Sequence, residues 1–332
     1  MTSNQPTGSD LATRHASAIK GKVVLTTGVT LGTLGSGFVL AIARAQPSLL
    51  ILAGRSRTKN QETAQAVADQ FPGVKVRTLE LDLVSLAAVH AAADTVNAWA
   101  DVPRIDVLVN NAGVMATDWA LSPDGFESQL AINHLGHFLF TNLIIGKILK
   151  SPAPRIIIVS SNGHRLGPFR FDDYNFRNGE CYNKWLSYGQ SKTANMLMAV
   201  SLAEKLGAKH NLSTFSVHPG LVITNLGSHL KLFGDDASDM DSMKEIDRLF
   251  GNSVAWMDFA TDIKALTPDE AASNLVYAAF DPDVTAHNGA YLEDCHVADP
   301  WIGAVKPWAT SPIEAERLWK LSEKLVGQVF KY

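Results

Sequence analysis

The chain of 332 residues is long enough for one large domain or two modest ones, and its 46% hydrophobic and 19% charged residues exclude the composition of a disordered chain. A formal net charge of -4, with no dense run of Lys or Arg, offers no footprint for nucleic acid or an anionic lipid surface. Two cysteines, Cys181 and Cys295, are too few for a disulfide framework or a paired-cysteine metal site, and they suit a reducing cytoplasm.

Residues 1–20 read as a polar N-terminal tail lacking the apolar core of a signal peptide. Short runs rich in Val, Ile and Leu then recur at Val23 to Thr27, Leu49 to Ala53, Val74 to Leu81, Ile105 to Asn110, Ile156 to Ser160 and Thr214 to His218, as expected of strands buried on both faces. Helical spacing separates them at Gln61 to Gln70, Leu86 to Ala100, Phe126 to Lys150 and Ser187 to Leu206. This alternation predicts an α/β fold with a doubly wound parallel sheet, as a single domain over 21–332. The nearest candidate membrane run, around residues 38–54, is interrupted by Arg44, Gln46 and Pro47, so no membrane span is expected. After Thr224 the pattern loosens through an acidic stretch with Asp235, Asp236, Asp239 and Asp241, which marks a substrate-loop region over about 225–267. A helix over Pro268 to Phe280 and a strand near Gly289 to Leu292 follow. The C-terminal extension, about 296–332, carries Trp301, Trp308 and Trp319 and an amphipathic helix from Ile313 to Val329.

Two local patterns carry chemistry. The first strand runs into Thr27-Gly28-Val29-Thr30-Leu31-Gly32-Thr33-Leu34-Gly35, where glycines let the backbone turn tightly and let a pyrophosphate approach a helix N-terminus, although tight turns that bind nothing also use glycine. The second strand ends at Arg55, where a site selective for NAD places an acidic residue on the ribose diol. A cation there, assisted by Arg57 or Lys59, suits the extra phosphate of NADP. Further on, Tyr188 and Lys192 are four residues apart on one helix face, about 6 Å apart at Cβ. A phenol titrates near pH 10, so acid–base work near neutrality calls for a neighbouring cation, and Lys192 is one.

These patterns coincide with Asn110-Asn111-Ala112-Gly113 after a strand, Ser160-Ser161 after the next and His218-Pro219-Gly220 after a sixth. Together and in this order they resemble the short-chain dehydrogenase/reductase family, whose fold is of Rossmann type. Asn133-His-Leu-Gly-His-Phe138 and Tyr291-Leu-Glu-Asp-Cys295 are similar to its retinol-dehydrogenase-like branch and related fungal biosynthetic reductases. The resemblance implies Tyr188 as general acid in reduction and base in oxidation. It implies that Lys192 lowers the Tyr188 pKa and holds the nicotinamide ribose, that Ser161 polarises the substrate oxygen, with Ser160 one place away, and that Asn133 holds a relay water. For the cofactor it implies Gly28, Thr33, Leu34 and Gly35 at the pyrophosphate, Asp82 at the adenine, Asn111 on the facing loop, and Val222 and Thr224 near the nicotinamide amide.

Two departures stand out. Bringing Thr33-Leu34-Gly35 onto the family's final Gly-x-Gly stretches the loop by one residue and puts Thr33 in place of a glycine, where its side chain either crowds the pyrophosphate or donates to it; the other register, through Gly32, leaves the third glycine unmatched. Ser161 and Tyr188 are separated by an insert whose aromatic part, Phe169 to Phe176, either lines the substrate mouth or covers the surface. No zinc-like spacing of His and Cys occurs, no metal is expected, and His134, His137, His164 and His218 read as core or loop residues. The expectation is a cytoplasmic, monomeric or homodimeric NADP(H)-dependent ketone or aldehyde reductase for a lipophilic small molecule, with a place in secondary metabolism. A redox-neutral isomerase, dehydratase or cyclase on the same fold, and a non-enzymatic NADP-binding sensor, are the alternatives.

Overall fold

A computed structural model describes residues 6–222, 224–232, 236–252, 265–300 and 305–332; Asp235 and Trp301 of the sequence reading lie outside them. Eight strands form one sheet in the order β3-β2-β1-β4-β5-β6-β7-β8. They are β1 (Val23–Thr27), β2 (Leu49–Gly54), β3 (Val76–Glu80), β4 (Val107–Asn110), β5 (Arg155–Val159), β6 (Ser213–Val217), β7 (Tyr291–Glu293) and β8 (His296–Val297). The first seven run parallel, and β8 turns back antiparallel against β7. Chain order reverses direction at β1 and β4, and the crevice beyond their C-terminal ends is where such a sheet takes its ligand.

The strands read as continuous apolar runs because successive side chains enter two different cores. Val24, Leu50, Leu52, Val107 and Ile157 join one core, with residues of helices α1 (Gly8–Arg14), α2 (Ala16–Ile19), α3 (Leu34–Ala43), α4 (Arg57–Gln70) and α11 (Pro268–Phe280). Leu25, Ile51, Leu108, Ile156 and Ile158 join the other, with residues of α5 (Leu86–Ala98), α7 (Gly136–Ile148), α8 (Lys184–Leu202) and α12 (Pro312–Val326). Short pieces complete the set: α6 (Ser128–Leu130), which leads through a π-helical turn, Ala131–Leu135, into α7, and α9 (Ala208–His210) after α8. Capping sets the helix starts, through Asn183 at α8, a Thr267/Glu270 box with Pro268 at α11, and Ser311 with Pro312 at α12.

Three regions differ from the sequence reading or resolve it. The polar stretch before residue 21 holds α1 and α2, whose Leu11, Ala12 and Ile19 are buried, while Ser9 binds Asp269 through both its N–H and its hydroxyl at 2.9 Å. These three apolar residues face inward, so mean composition hid a docked helix. The acidic stretch before residue 250 contains α10 (Ser238–Leu249), because Met240, Met243 and Ile246 recur on one face and pack with Leu166 and Trp185. The aromatic insert covers the surface. Phe169 is buried against Phe171 at 4.9 Å, Arg317 of α12 lies 4.0 Å over Phe171, and Arg170 lies 4.7 Å over Phe176.

The C-terminal extension is bolted to the second core. Trp319 meets Phe138 edge to face at 4.9 Å, Phe330 meets Phe138 at 5.8 Å, and the Tyr332 phenol bonds the Asn142 side chain. Trp319→Ala is therefore expected to lower stability by about 3–5 kcal/mol, the usual cost of truncating a large buried aromatic, as read from urea unfolding.

Candidate active site

The crevice is built from two turns pressed together. Gly28 follows β1 with φ of +72°, and a Cβ there would stand 2.7 Å from Ala112 Cα in the turn after β4. A Cβ on Gly35, at the start of α3, would stand 2.3 Å from the Gly28 carbonyl oxygen, so only glycine lets the helix begin this close behind the strand. Asn111 Nδ2 donates to the Thr27 and Gly28 carbonyls at 2.8 and 2.9 Å, while the N–H groups of Asn111 and Ala112 donate to Thr27 Oγ1, both at 2.9 Å. Asn111 thus acts on the loop by holding it.

Thr33 precedes α3, and its hydroxyl donates back to the Thr30 carbonyl at 2.7 Å, so it braces the lengthened loop. Leu34 follows as the first residue of α3. At Gly32, φ is +79° and the place of a Cβ faces open space, which leaves bare backbone at the helix start. A glycine-lined crevice ending at a helix N-terminus fits the phosphates of a dinucleotide. Arg55 follows β2 and is exposed, as are Arg57 and Lys59. Asp82, half-buried beyond β3, accepts from the Val84 N–H at 3.2 Å. On the far side, Val222 bridges to Leu266, and the Thr224 hydroxyl accepts from the Leu226 N–H at 3.2 Å, closing a short turn.

Tyr188 and Lys192 lie in the interior of α8, one turn later than the sequence pattern suggested, because Asn183 caps the helix. Of the two serines after β5, Ser160 donates to the Lys192 carbonyl at 2.8 Å, whereas Ser161 hydrogen-bonds Tyr188. This division puts Ser161 at the phenol. Gly163 makes room for the pair, since a Cβ there would stand 2.5 Å from Tyr188 Cε1 and 3.3 Å from Ser161 Oγ. Lys192 Nζ sits 5.6 Å from the Tyr188 ring centroid and donates to the Val159 carbonyl at 3.3 Å.

Asn133 occupies the π-helical turn before α7, a distortion that recurs at functional sites. Its side chain accepts from the Val114 N–H at 2.8 Å and donates to the Val114 carbonyl and to Ser191 Oγ, both at 2.9 Å. A Cβ on Gly113 would lie 2.9 Å from Asn133 Oδ1 and 3.6 Å from Lys192 Nζ, so the two groups flank the same turn. The structure brings Ser161, Tyr188, Lys192 and Asn133 together beside the glycine loop.

Burial dominates the electrostatics. It pushes the Tyr188 phenol up to about 12, with the Ser161 hydrogen bond working the other way, and it brings the Lys192 ammonium down to about 8. The phenol is thus raised, not lowered as the resemblance implied: burial sets it, and the Ser161 hydrogen bond is what opposes the rise. His164 and His137 are also pushed down by burial, to about 3 and about 4, so both imidazoles are neutral. His164 bonds the Ser161 carbonyl at 2.8 Å and accepts from the Lys306 N–H at 3.2 Å, which clips the C-terminal extension to the Ser161 segment. Sequence reasoning missed Gly163 beside the phenol and read His137 and His164 as core or loop residues; the one available signal was that each lies within four residues of a motif position.

The sequence profile of the short chain dehydrogenase family matches residues 22–175. Human retinol dehydrogenase 14 is 36% identical over 321 residues, covering 92% of this chain and 87% of its own. Short-chain dehydrogenase/reductase prx1 of Penicillium rubens is 34% identical over 319 residues, covering 93% of this chain and 86% of its own. Among solved structures, a protein from Mycobacterium paratuberculosis matches with a TM-score of 0.66 at 30% identity, covering 96% of this chain and 98% of its own.

The fit of Gly163 against the phenol can be tested directly. Gly163→Ala is expected to cost about 1–3 kcal/mol by overpacking and to shift the Tyr188 ring resonances, whereas Gly146→Ala, whose Cβ meets nothing within 4 Å, shifts neither downward in stability nor in the ring.

Proposed function

Because this chain belongs to the short-chain dehydrogenase/reductase family, in its retinol-dehydrogenase-like branch, we propose that it is an NADP(H)-dependent oxidoreductase interconverting a carbonyl and an alcohol on a lipophilic small molecule, acting as a ketone or aldehyde reductase. The observation that carries the reading is the convergence of Ser161, Tyr188 and Lys192, each buried, at the C-terminal edge of β5 and beside the glycine loop. The family uses a nicotinamide cofactor, which supplies or takes the hydride when bound. The chain's own residues do the rest. The Ser161 hydroxyl and the Tyr188 phenol hydrogen-bond the substrate oxygen, and Tyr188 gives it a proton in reduction or takes one in oxidation. The Lys192 ammonium stabilises the phenolate so formed, both groups being buried. Asn133, fixed by Val114 and Ser191, holds a water that returns the proton toward Lys192.

Arg55 supports NADP over NAD. It is an exposed cation at the end of β2 that forms no ion pair among the described residues, and a ribose phosphate suits it better than a ribose diol does. The lipophilic preference rests on the apolar group beside the site, in which Met115, Leu166, Leu186, Leu230 and Phe250 pack with α10. Two free cysteines suit the cytoplasm, and among the described residues no helix is long and apolar enough to cross a membrane. A monomer or homodimer in secondary metabolism completes the reading; that setting follows from the subgroup resemblance of Asn133 to Phe138 and Tyr291 to Cys295.

A panel of ketones, aldehydes and alcohols, assayed with NADPH and NADP against NADH and NAD, tests it. Loss of NADPH in step with alcohol formation is expected; product formation with no change in the cofactor would make the reaction redox-neutral and overturn it. Tyr188→Phe is expected to lower kcat by roughly 10²–10⁴-fold with NADPH affinity retained. Arg55→Ala is expected to raise the KM for NADPH by about 10–100-fold and leave that for NADH unchanged, as for loss of one charge-assisted contact. In reduction, Tyr188 must carry its proton and Lys192 its charge. With Lys192 at about 8, kcat/KM for reduction is expected to be level near neutrality and to fall as pH rises above about 8.

A further inference from the structure

His137 lies in the first turn of α7, 1% exposed, with Nδ1 3.2 Å from the Asn133 carbonyl oxygen and Nε2 3.0 Å from Thr27 Oγ1. A carbonyl only accepts, so Nδ1 carries the proton and Nε2 is the acceptor. The Thr27 hydroxyl must then donate to Nε2, while its oxygen receives the N–H groups of Asn111 and Ala112. One unbroken line of hydrogen bonds therefore runs from the turn after β4, through the end of β1, to the backbone of Asn133, with each proton placed by its neighbours.

The line joins two things that nothing in the local sequence requires to be joined. Thr27 is the last residue of β1, and the carbonyls of Thr27 and Gly28 are held by Asn111, so Thr27 sets where the glycine loop begins. Asn133 stands in the π-helical turn, where the Gly136 N–H reaches back to the Ala131 carbonyl and the regular ladder is interrupted. A neutral imidazole at this point fits a connector. The neighbouring His134, equally buried, bonds Ser322 through Nε2 and leaves Nδ1 without a hydrogen-bond partner, as a core-filling histidine can. His137 uses both nitrogens, one on Thr27 at the end of β1 and one on Asn133 in the π-helical turn.

We infer that His137 is a positioning residue that ties the nucleotide loop to the Asn133 carbonyl, so that cofactor binding and the proton path through Asn133 are held in one register. The inference rests on the reading of Asn133 and the loop given above. His137 touches neither cofactor nor substrate. It acts through Thr27 on the loop and through Asn133 on Lys192, and removing it takes from the Thr27 hydroxyl its 3.0 Å acceptor, leaving the Val109 carbonyl at 3.5 Å, and from the Asn133 carbonyl the imidazole N–H.

Four variants, His137→Phe, His137→Asn, Thr27→Val and the double Thr27→Val with His137→Phe, separate the two arms. His137→Phe keeps the volume and removes both bonds. It is expected to raise the dissociation constant for NADPH, followed by fluorescence titration, by about tenfold, and to lower kcat by about tenfold with little change in the KM of the carbonyl substrate. His137→Asn keeps a donor where Nδ1 stands but does not reach Thr27, so it is expected to restore most of kcat while NADPH stays weakly bound. In Thr27→Val combined with His137→Phe, the loss of NADPH affinity is expected to be no greater than in the worse single variant, because both break one line. A folded His137→Phe protein with wild-type NADPH affinity and kcat, or additive losses in the double variant, would overturn the inference. Should the Phe variant not fold, nitrogen-15 resonances of the wild-type imidazole decide. Protonation at Nδ1, with an Nε2 resonance that moves when NADPH is added, supports the connection, and protonation at Nε2 overturns it. The titration needs no turnover, so absence of any carbonyl substrate would count against the proposed reaction and leave this test standing; a protein that takes only NADH is titrated with NADH.

Discussion

The contact on which the site depends is the one between the turn after β1 and the turn after β4. Chain order reverses across these two strands, so their ends splay and leave a crevice. The crevice keeps its shape because Asn111 holds the Thr27 and Gly28 carbonyls and Thr27 Oγ1 collects two N–H groups in return. Backbone groups buried in irregular turns would otherwise go unpaired, at a cost of about 1–3 kcal/mol each. Gly28 and Gly35 are needed for the same reason. A methyl at either would collide with backbone, which cannot move aside without opening the crevice.

A second constraint is desolvation around Tyr188 and Lys192. Placing a phenol and an ammonium in the interior of α8, beneath the turn after β5, penalises the charged form of each. The same burial strengthens their attraction when a proton leaves Tyr188, because little water screens it. The neighbours that look merely structural keep the geometry narrow. Ser160 holds the backbone at Lys192, Gly163 leaves room for the ring, and His164 ties the Ser161 segment to the C-terminal extension. The extension itself is anchored through Trp319 and Tyr332 on α7, and its α12 packs against α8, so the far end of the chain supports the helix that carries Tyr188 and Lys192.

What the amino-acid sequence by itself determined was the order of elements and the residues of the candidate site. Strands buried on both faces leave continuous apolar runs, and β1 to β6 sit within a few residues of those runs. Tyr188, Lys192, Ser161 and the glycine loop were legible because each lies in a short contiguous pattern. Elements whose buried face is sparse were less legible. Three inward residues anchor α1 and α2 within a polar stretch, and α10 hides its apolar face among acidic residues. The tertiary structure alone decided what Ser160 holds beside Ser161, where the Thr33 hydroxyl goes, that the aromatic insert lies on α12, and that burial raises the Tyr188 pKa. It also decided that His137 meets Thr27, 110 residues away in the chain. Such pairings arise only when separate elements are packed against one another, and spacing along the chain reports neighbours on one helix or strand, not across the crevice between two.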